Sequence, residues 1–197
     1  MLKSLNSILV RRLILVILSC IPLTACTGPL YSVAPIPKEH ARAEVAITET
    51  GLEVGAAIVT EERAFKDFDA NLPLAGIVGI DLRVANRSQK AFRPGFRLRT
   101  NERDWKPVSP KQALSRVMKY YGVRLYGKES FRQTREAYDS VGFNLDNEIK
   151  PGEERRGIVF FDLKTPATNI NSVVIEIKGA DKPILLTIDP TSNQTTN

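Results

Sequence analysis

Ile80-Asp81-Leu82-Arg83-Val84 alternates apolar and charged side chains, and Phe96-Arg97-Leu98-Arg99 does so again. A period of two is that of a strand with one face in a core and the other in water, so each stretch reads as a half-buried strand. The pattern returns near the C-terminus. There Val173, Ile175 and Ile177 alternate with Val174, Glu176 and Lys178, and Ile184, Leu186 and Ile188 alternate with Leu185, Thr187 and Asp189. Gly157 to Leu163 is apolar on both faces at Ile158 to Phe161, which predicts a central strand. Val45 to Thr48, Leu52 to Val59 and Phe143 to Ile149 are weaker candidates. Turn residues punctuate these runs at Asn86-Arg87-Ser88, Pro94-Gly95, Pro151-Gly152 and Gly179 to Pro183. Short strands so spaced predict a mainly β domain of two packed antiparallel sheets.

One region departs from that period. Ser109-Pro110-Lys111-Gln112 combines a helix N-cap, proline at the first helical position and the glutamine of a capping box. Leu114, Val117, Met118 and Tyr121 then follow at helical spacing, and Gly122 is a stop signal. A second helix is expected over about Lys128 to Ser140, so residues 109–141 read as a helical insertion between strands. Such an insertion either carries function or caps an open end of the sandwich.

The chain has 197 residues, 43% hydrophobic and 25% charged, enough for one core. Two cysteines and one histidine leave no set of soft ligands for a structural zinc site, a cluster or a haem. Residues 1–25 contain no acidic side chain and carry Lys3, Arg11 and Arg12 ahead of the apolar run Leu13 to Ile21, closed by Pro22. This is the layout of a cleaved export signal, too short for a spanning helix. Its end, Leu23-Thr24-Ala25-Cys26, resembles the lipobox of bacterial lipoproteins. That resemblance implies a mature chain starting at Cys26, with a diacylglyceryl thioether and an acylated amine as its only attached groups. Several acyl chains anchor stably where one does not. Thr27, rather than aspartate, follows the cysteine, which implies the outer membrane, facing the periplasm. The proline-bearing stretch 26–43 reads as an extended tether holding the domain off the bilayer, with His40 a solvated residue of it. A folded domain is expected over 44–189 and a polar tail over 190–197.

Leu74 to Ser88, with the later Pro151-Gly152-Glu153 and Gly157-Ile158-Val159-Phe160-Phe161, resembles exported bacterial immunoglobulin-like domains of poorly defined function. In these a strand ending in an asparagine turn pairs late with a strand led by Pro-Gly. The resemblance implies an antiparallel immunoglobulin-like β-sandwich and transfers no catalytic residues.

No nucleophile-histidine-carboxylate set can be written, because His40 is the only histidine and lies in the tether. No phosphate-binding glycine loop is present. Asp67 and Asp69, preceded by Glu61-Glu62, read as a solvated connection, with an acid/base pair as the competing reading. Loss of Lys3, Arg11 and Arg12 leaves 25 basic against 22 acidic residues, a mature net charge of +3, which removes the compositional case for nucleic acid. That charge is unevenly spread: residues 83–108 carry +6, residues 109–141 carry +4 and the rest of the mature chain −7. Alternation would put Arg83, Arg97 and Arg99 on one outward face as a basic strip. Arg97, Arg99, Arg116, Arg132 and Arg135 are therefore the candidate partner-binding residues. The competing reading has these arginines solubilising a sheet face and pairing with acids of the same domain. The function expected is a non-enzymatic, lipid-anchored envelope module that meets an envelope protein, an anionic lipid or a glycan. A carboxylate-dependent hydrolase of envelope polymer and an assembly subunit of a secretion or surface-organelle machine are the alternatives.

Overall fold

The computed structural model describes residues 29–34, 44–47, 51–100, 103–123, 127–167, 173–178 and 183–188. The signal segment 1–25, Cys26, the tether residues 35–43 with His40, Arg124 and the tail 190–197 lie outside the described residues. Among those described, the elements in chain order are β1 (Glu44–Ile47), β2 (Leu52–Ile58), α1 (Glu61–Phe68), β3 (Ile77–Asn86), β4 (Gly95–Thr100), β5 (Arg103–Trp105), β6 (Pro107–Val108), α2 (Pro110–Tyr120), α3 (Lys128–Val141), β7 (Glu154–Asp162), β8 (Val173–Lys178) and β9 (Ile184–Ile188). The fold is mainly antiparallel β, with a five-stranded sheet in the order β1-β2-β3-β7-β6 and a four-stranded sheet in the order β5-β4-β8-β9.

Alternation assigns one face of β2, β3, β4, β7, β8 and β9 to a core between the sheets. Val54 and Ala56 of β2, Ile80 and Leu82 of β3 and Val159 and Phe161 of β7 meet Phe96 and Leu98 of β4, Ile175 and Ile177 of β8 and Leu186 of β9 there. The register Ala56↔Leu82 and Ile80↔Val159 keeps these side chains on one side of the larger sheet.

The opposite face of that sheet is covered as well. Phe68 of α1, Leu114 and Val117 of α2 and Tyr138 of α3 form a second apolar cluster with Ile77, Ile158 and Phe160 of the sheet. The Phe68 ring lies 5.3 Å from Tyr138 and 5.9 Å from Phe160, separations at which aromatic pairs add to plain burial. The domain therefore has three layers, and the helices of 109–141 form, with α1, the layer over β3 and β7. This corrects the half-buried reading of Ile80 to Val84: Asp81, expected in water, has 0% of its surface exposed.

Asp81 is buried with partners. Arg63 Nη2 of α1 lies 2.8 Å from its Oδ2 and Arg156 Nη2 of β7 lies 2.9 Å from the same oxygen, while Arg63 Nε also reaches Asp67, 2.9 Å away. Arg83 and Arg156 face each other across β3 and β7, an unfavourable pairing of like charges. Asp81 offsets it on one side, and on the other Arg83 binds Glu154 and Glu53 at 2.8 and 2.7 Å.

Two further differences have physical causes. Phe143 to Ile149 forms no strand, and isolated bridges are made only at its end, Ile149 to Phe92, and just before its start, Gly142 to Ile158. The chain there crosses over β7 at Gly157, where an added Cβ would stand 2.6 Å from Phe143 Cα. Residues 29–34, expected in a free tether, lie on the helical layer, with Leu30, Tyr31 and Val33 packed against its apolar cluster.

Removing the buried carboxylate leaves Arg156 without its ion-pair partner and Arg63 with Asp67 alone, so Asp81→Ala is expected to lower the unfolding free energy by about 3–5 kcal/mol. Arg83→Ala, in pairs that water reaches, should cost at most about 1 kcal/mol. Urea denaturation followed by circular dichroism separates the two; equal losses would mean that the buried network has no special weight.

Candidate functional site

Helix α2 starts where local chemistry dictates. Ser109 Oγ accepts from Gln112 N at 3.3 Å, Gln112 Oε1 accepts from Ser109 N at 2.9 Å, and Pro110 occupies the first helical position. Ala113, Leu114, Val117 and Met118 then face the core, which turns Lys111, Ser115 and Lys119 outward. The helix ends at Tyr120, and Gly122, with a left-handed φ of 67°, follows its cap.

An open concavity of about 760 Å³ runs between this outward flank and the turn after β7. Lys111, Arg116, Lys119 and Lys164 line it, with Asp162 the single carboxylate among its lining residues. Arg116 is held in place: its Nε donates to the Ala75 carbonyl at 3.1 Å, its Nη2 donates to the Lys164 carbonyl at 2.8 Å, and Asp162 lies 3.7 Å away. Lys164 takes a left-handed φ of 62°, and its N–H donates to Asp162 Oδ1 at 2.8 Å. No carboxylate among the described residues forms an ion pair with Lys111, Lys119 or Lys164, and the one acidic residue that lines the concavity with them, Asp162, lies 3.7 Å from Arg116. Such a surface attracts anionic groups.

Of the sequence-predicted residues, only Arg116 stands in this concavity. Arg97 and Arg99 lie together on the outer face of the four-stranded sheet, alternating with the buried Phe96 and Leu98. Both are paired to Asp104, at 3.6 and 2.9 Å. Arg132 and Arg135 lie on α3. Arg132 is clasped between Glu129 and Glu136 at 2.5 and 2.7 Å, and Arg135 reaches Asp139 at 3.5 Å. The five residues thus occupy three places in two outer layers. The strip that was to unite Arg83 with Arg97 and Arg99 is not formed, because β3 and β4 belong to different sheets. Lys164 was missed because it follows β7, 48 residues beyond Arg116, and only the fold brings the two together.

The acidic pair is not a solvated connection. Asp67 is buried on α1, while Asp69 caps that helix with a left-handed φ of 53° and is exposed. The signals for α1 were Thr60 as N-cap, two acids in the first turn and Ala64 and Phe68 one turn apart. Asp67 and Asp69 point into different surroundings and neither lines the concavity. Among the described residues no group of three or more His, Cys, Asp or Glu is placed to hold a metal ion.

No protein-family model matches the chain and no curated protein matches it. Among solved structures it is similar to a conserved hypothetical protein from Bacillus anthracis, at 13% identity and a TM-score of 0.36, over 74% of this chain and 94% of that one.

The hydrogen bond from Arg99 holds the Asp104 carboxyl below the ordinary aspartate value, and Arg132 does the same to Glu129. A depressed folded pKa means that the pairing stabilises above the unfolded value and is lost as pH falls through the folded one. Carboxyl-carbon NMR titration should therefore give Asp104 a midpoint below that of an unpaired aspartate, and Arg99→Gln should raise it. An unchanged midpoint in Arg99→Gln would refute the pairing in solution.

Proposed function

We propose that this protein is a non-enzymatic lipoprotein of the bacterial cell envelope, anchored by acyl chains on Cys26, whose domain docks an anionic group of another envelope component. The observation that carries the docking reading is the concavity beside α2, where Lys111, Lys119 and Lys164 have no ion-pair partner among the described residues and surround a fixed Arg116. Elsewhere the candidate arginines already have acidic partners within the domain. An incoming anion would therefore displace a standing ion pair at Arg99 or Arg132, and none at the three lysines. Phosphate, carboxylate and uronate groups all suit ammonium donors held in this way.

The lipobox and Thr27 support an outer-membrane anchor with the domain in the periplasm, reached through a cleaved signal over 1–25. The immunoglobulin-like reading of the two sheets belongs to this proposal too; the shared apolar core and the all-antiparallel pairing support it. A hydrolase reading finds less support, since Asp67 is tied to Arg63 at 2.9 Å instead of facing an open cleft.

The test is to purify the full-length protein from envelopes in mild detergent and identify by mass spectrometry what stays bound, beside Cys26→Ala and the charge-reversed Lys111→Glu/Lys119→Glu/Lys164→Glu. The expected result is a bound component retained by the wild type and reduced at least tenfold by the triple reversal. Arg97→Glu/Arg99→Glu should lose less. Identical bound components in wild type and triple reversal would overturn the docking reading, and a Cys26 without acyl chains would overturn the anchor.

A further inference from the structure

Residues 29–34 cross the helical layer from one side to the other. Leu30 N donates to Thr134 Oγ1 of α3 at 2.7 Å. The Tyr31 ring stands 6.2 Å from that of Tyr121, just beyond α2. Ala34 N donates to the Asp67 carbonyl of α1 at 2.7 Å. Leu30, Tyr31 and Val33 pack on the apolar cluster beneath. Six residues thus bind all three helical elements through two backbone hydrogen bonds, a ring contact and buried apolar surface.

Covalent geometry converts this strap into an orientation. Three trans peptide steps separate Cys26 from Pro29, so the two Cα atoms lie within about 11 Å of each other whatever path the chain takes. A lipid chain on Cys26 therefore enters the bilayer close to the helical layer. The outer face of the four-stranded sheet lies two layer spacings away, about 20 Å at roughly 10 Å per layer. Beside the strap the surface is aromatic: Tyr120 and Tyr121 are 43% and 42% exposed, their rings 5.1 Å apart, with the exposed Lys119 next to them. Tyrosine has an apolar body and a polar tip suited to the membrane-water boundary, and an adjacent ammonium suits lipid phosphate.

We infer that the corner formed by Tyr31, Tyr120 and Tyr121 on the helical layer is a bilayer-contacting surface, which turns Arg97 and Arg99 of the four-stranded sheet away from the membrane. This rests on the lipid anchor at Cys26 proposed above. The occupant is the membrane carrying the protein's own acyl chains, because the length of chain between anchor and strap leaves it within reach of that corner.

The experiment uses full-length protein purified from membranes and reconstituted into phosphatidylethanolamine/phosphatidylglycerol vesicles containing a nitroxide-labelled phospholipid. Tyr120→Cys, at an exposed position, and Arg97→Cys, at a half-buried one whose side chain water reaches, are each labelled with a thiol-reactive fluorophore. Intact mass is measured first. Quenching is expected to be at least threefold stronger at position 120 than at position 97. In a Leu30→Asp/Val33→Asp background, which releases the strap and keeps Cys26, the difference should vanish. Equal quenching at the two positions of an acylated protein would overturn the orientation and leave the anchor standing. A quenching difference that survives release of the strap would also overturn it. An unacylated Cys26 would overturn the anchor and with it the orientation.

Discussion

A carboxylate without solvent, shared by two arginines from different layers, is the constraint on which the rest of this domain depends. Asp81 sits in the middle of β3, and its partners come from α1 and from β7. Desolvating such a group costs free energy that its ion pairs recover only when the geometry is kept. A helix docked out of place, or a strand slipped by one residue, would leave Asp81 or an arginine buried and unpaired. The network therefore selects one arrangement of helices on sheet more than it adds net stability. Around it small residues share the sheet with an apolar one: Ala57 and Ile158 flank Asp81 in register, and Gly55 lies opposite Arg83. Arg63 and Arg156 reach Asp81 there.

The same chemistry explains why the uneven charge along the chain does not become a single basic face. Residues 83–108 carry +6 in sequence, yet Arg83 is clasped by two glutamates in the five-stranded sheet while Arg97 and Arg99 share one aspartate in the other. The hydrogen bonds that Arg83 donates to Glu154 and Glu53 push its guanidinium well above its ordinary value, the mark of a cation fully engaged within the fold. Free positive charge survives where the helix caps itself. Gln112 turns back onto Ser109, and no acidic residue occupies the first turn of α2 to neutralise Lys111.

How much of this was legible from the chain varies with how local the cause is. The start of α2 was, because a capping box and a proline act within four residues. β4, β8 and β9 were, because alternation is a local property of side chains, and β7 was, because a run apolar on both faces is local too. Which faces are covered was not: Asp81 looks solvated in sequence because its arginines stand 18 and 75 residues away. Helix α1 is only eight residues long and was hidden by its charges, two of which, on Arg63 and Asp67, turn inward to each other. The strap was hidden by Pro29, Pro35 and Pro37, which read as an extended linker; the signal against that reading was Leu30, Tyr31 and Val33, too apolar for a solvated tether. In the concavity, Arg116 was found by charge alone, while Lys164 needed the tertiary contact of the turn after β7 with α2.

Layering also decides what each charged surface is free to do. An apolar cluster that contains its own chain's N-terminal segment cannot swing that segment away without exposing Leu30, Tyr31 and Val33 and breaking the bonds to Thr134 and Asp67. These side chains are half-buried, so lifting the segment off would return part of their apolar surface to water at about 25 cal/mol per Å², and that holds the start of the described chain to the domain. The buried Tyr138 hydroxyl, which has no hydrogen-bond partner among the described residues and is kept protonated by burial, lies beneath the same aromatic packing. A domain built in this way presents its outer layers in fixed relation to residues 29–34. The lysines beside α2 and the arginines of β4 are then separated by the thickness of the protein, so a single small partner cannot bridge them, and each must be considered as a surface in its own right.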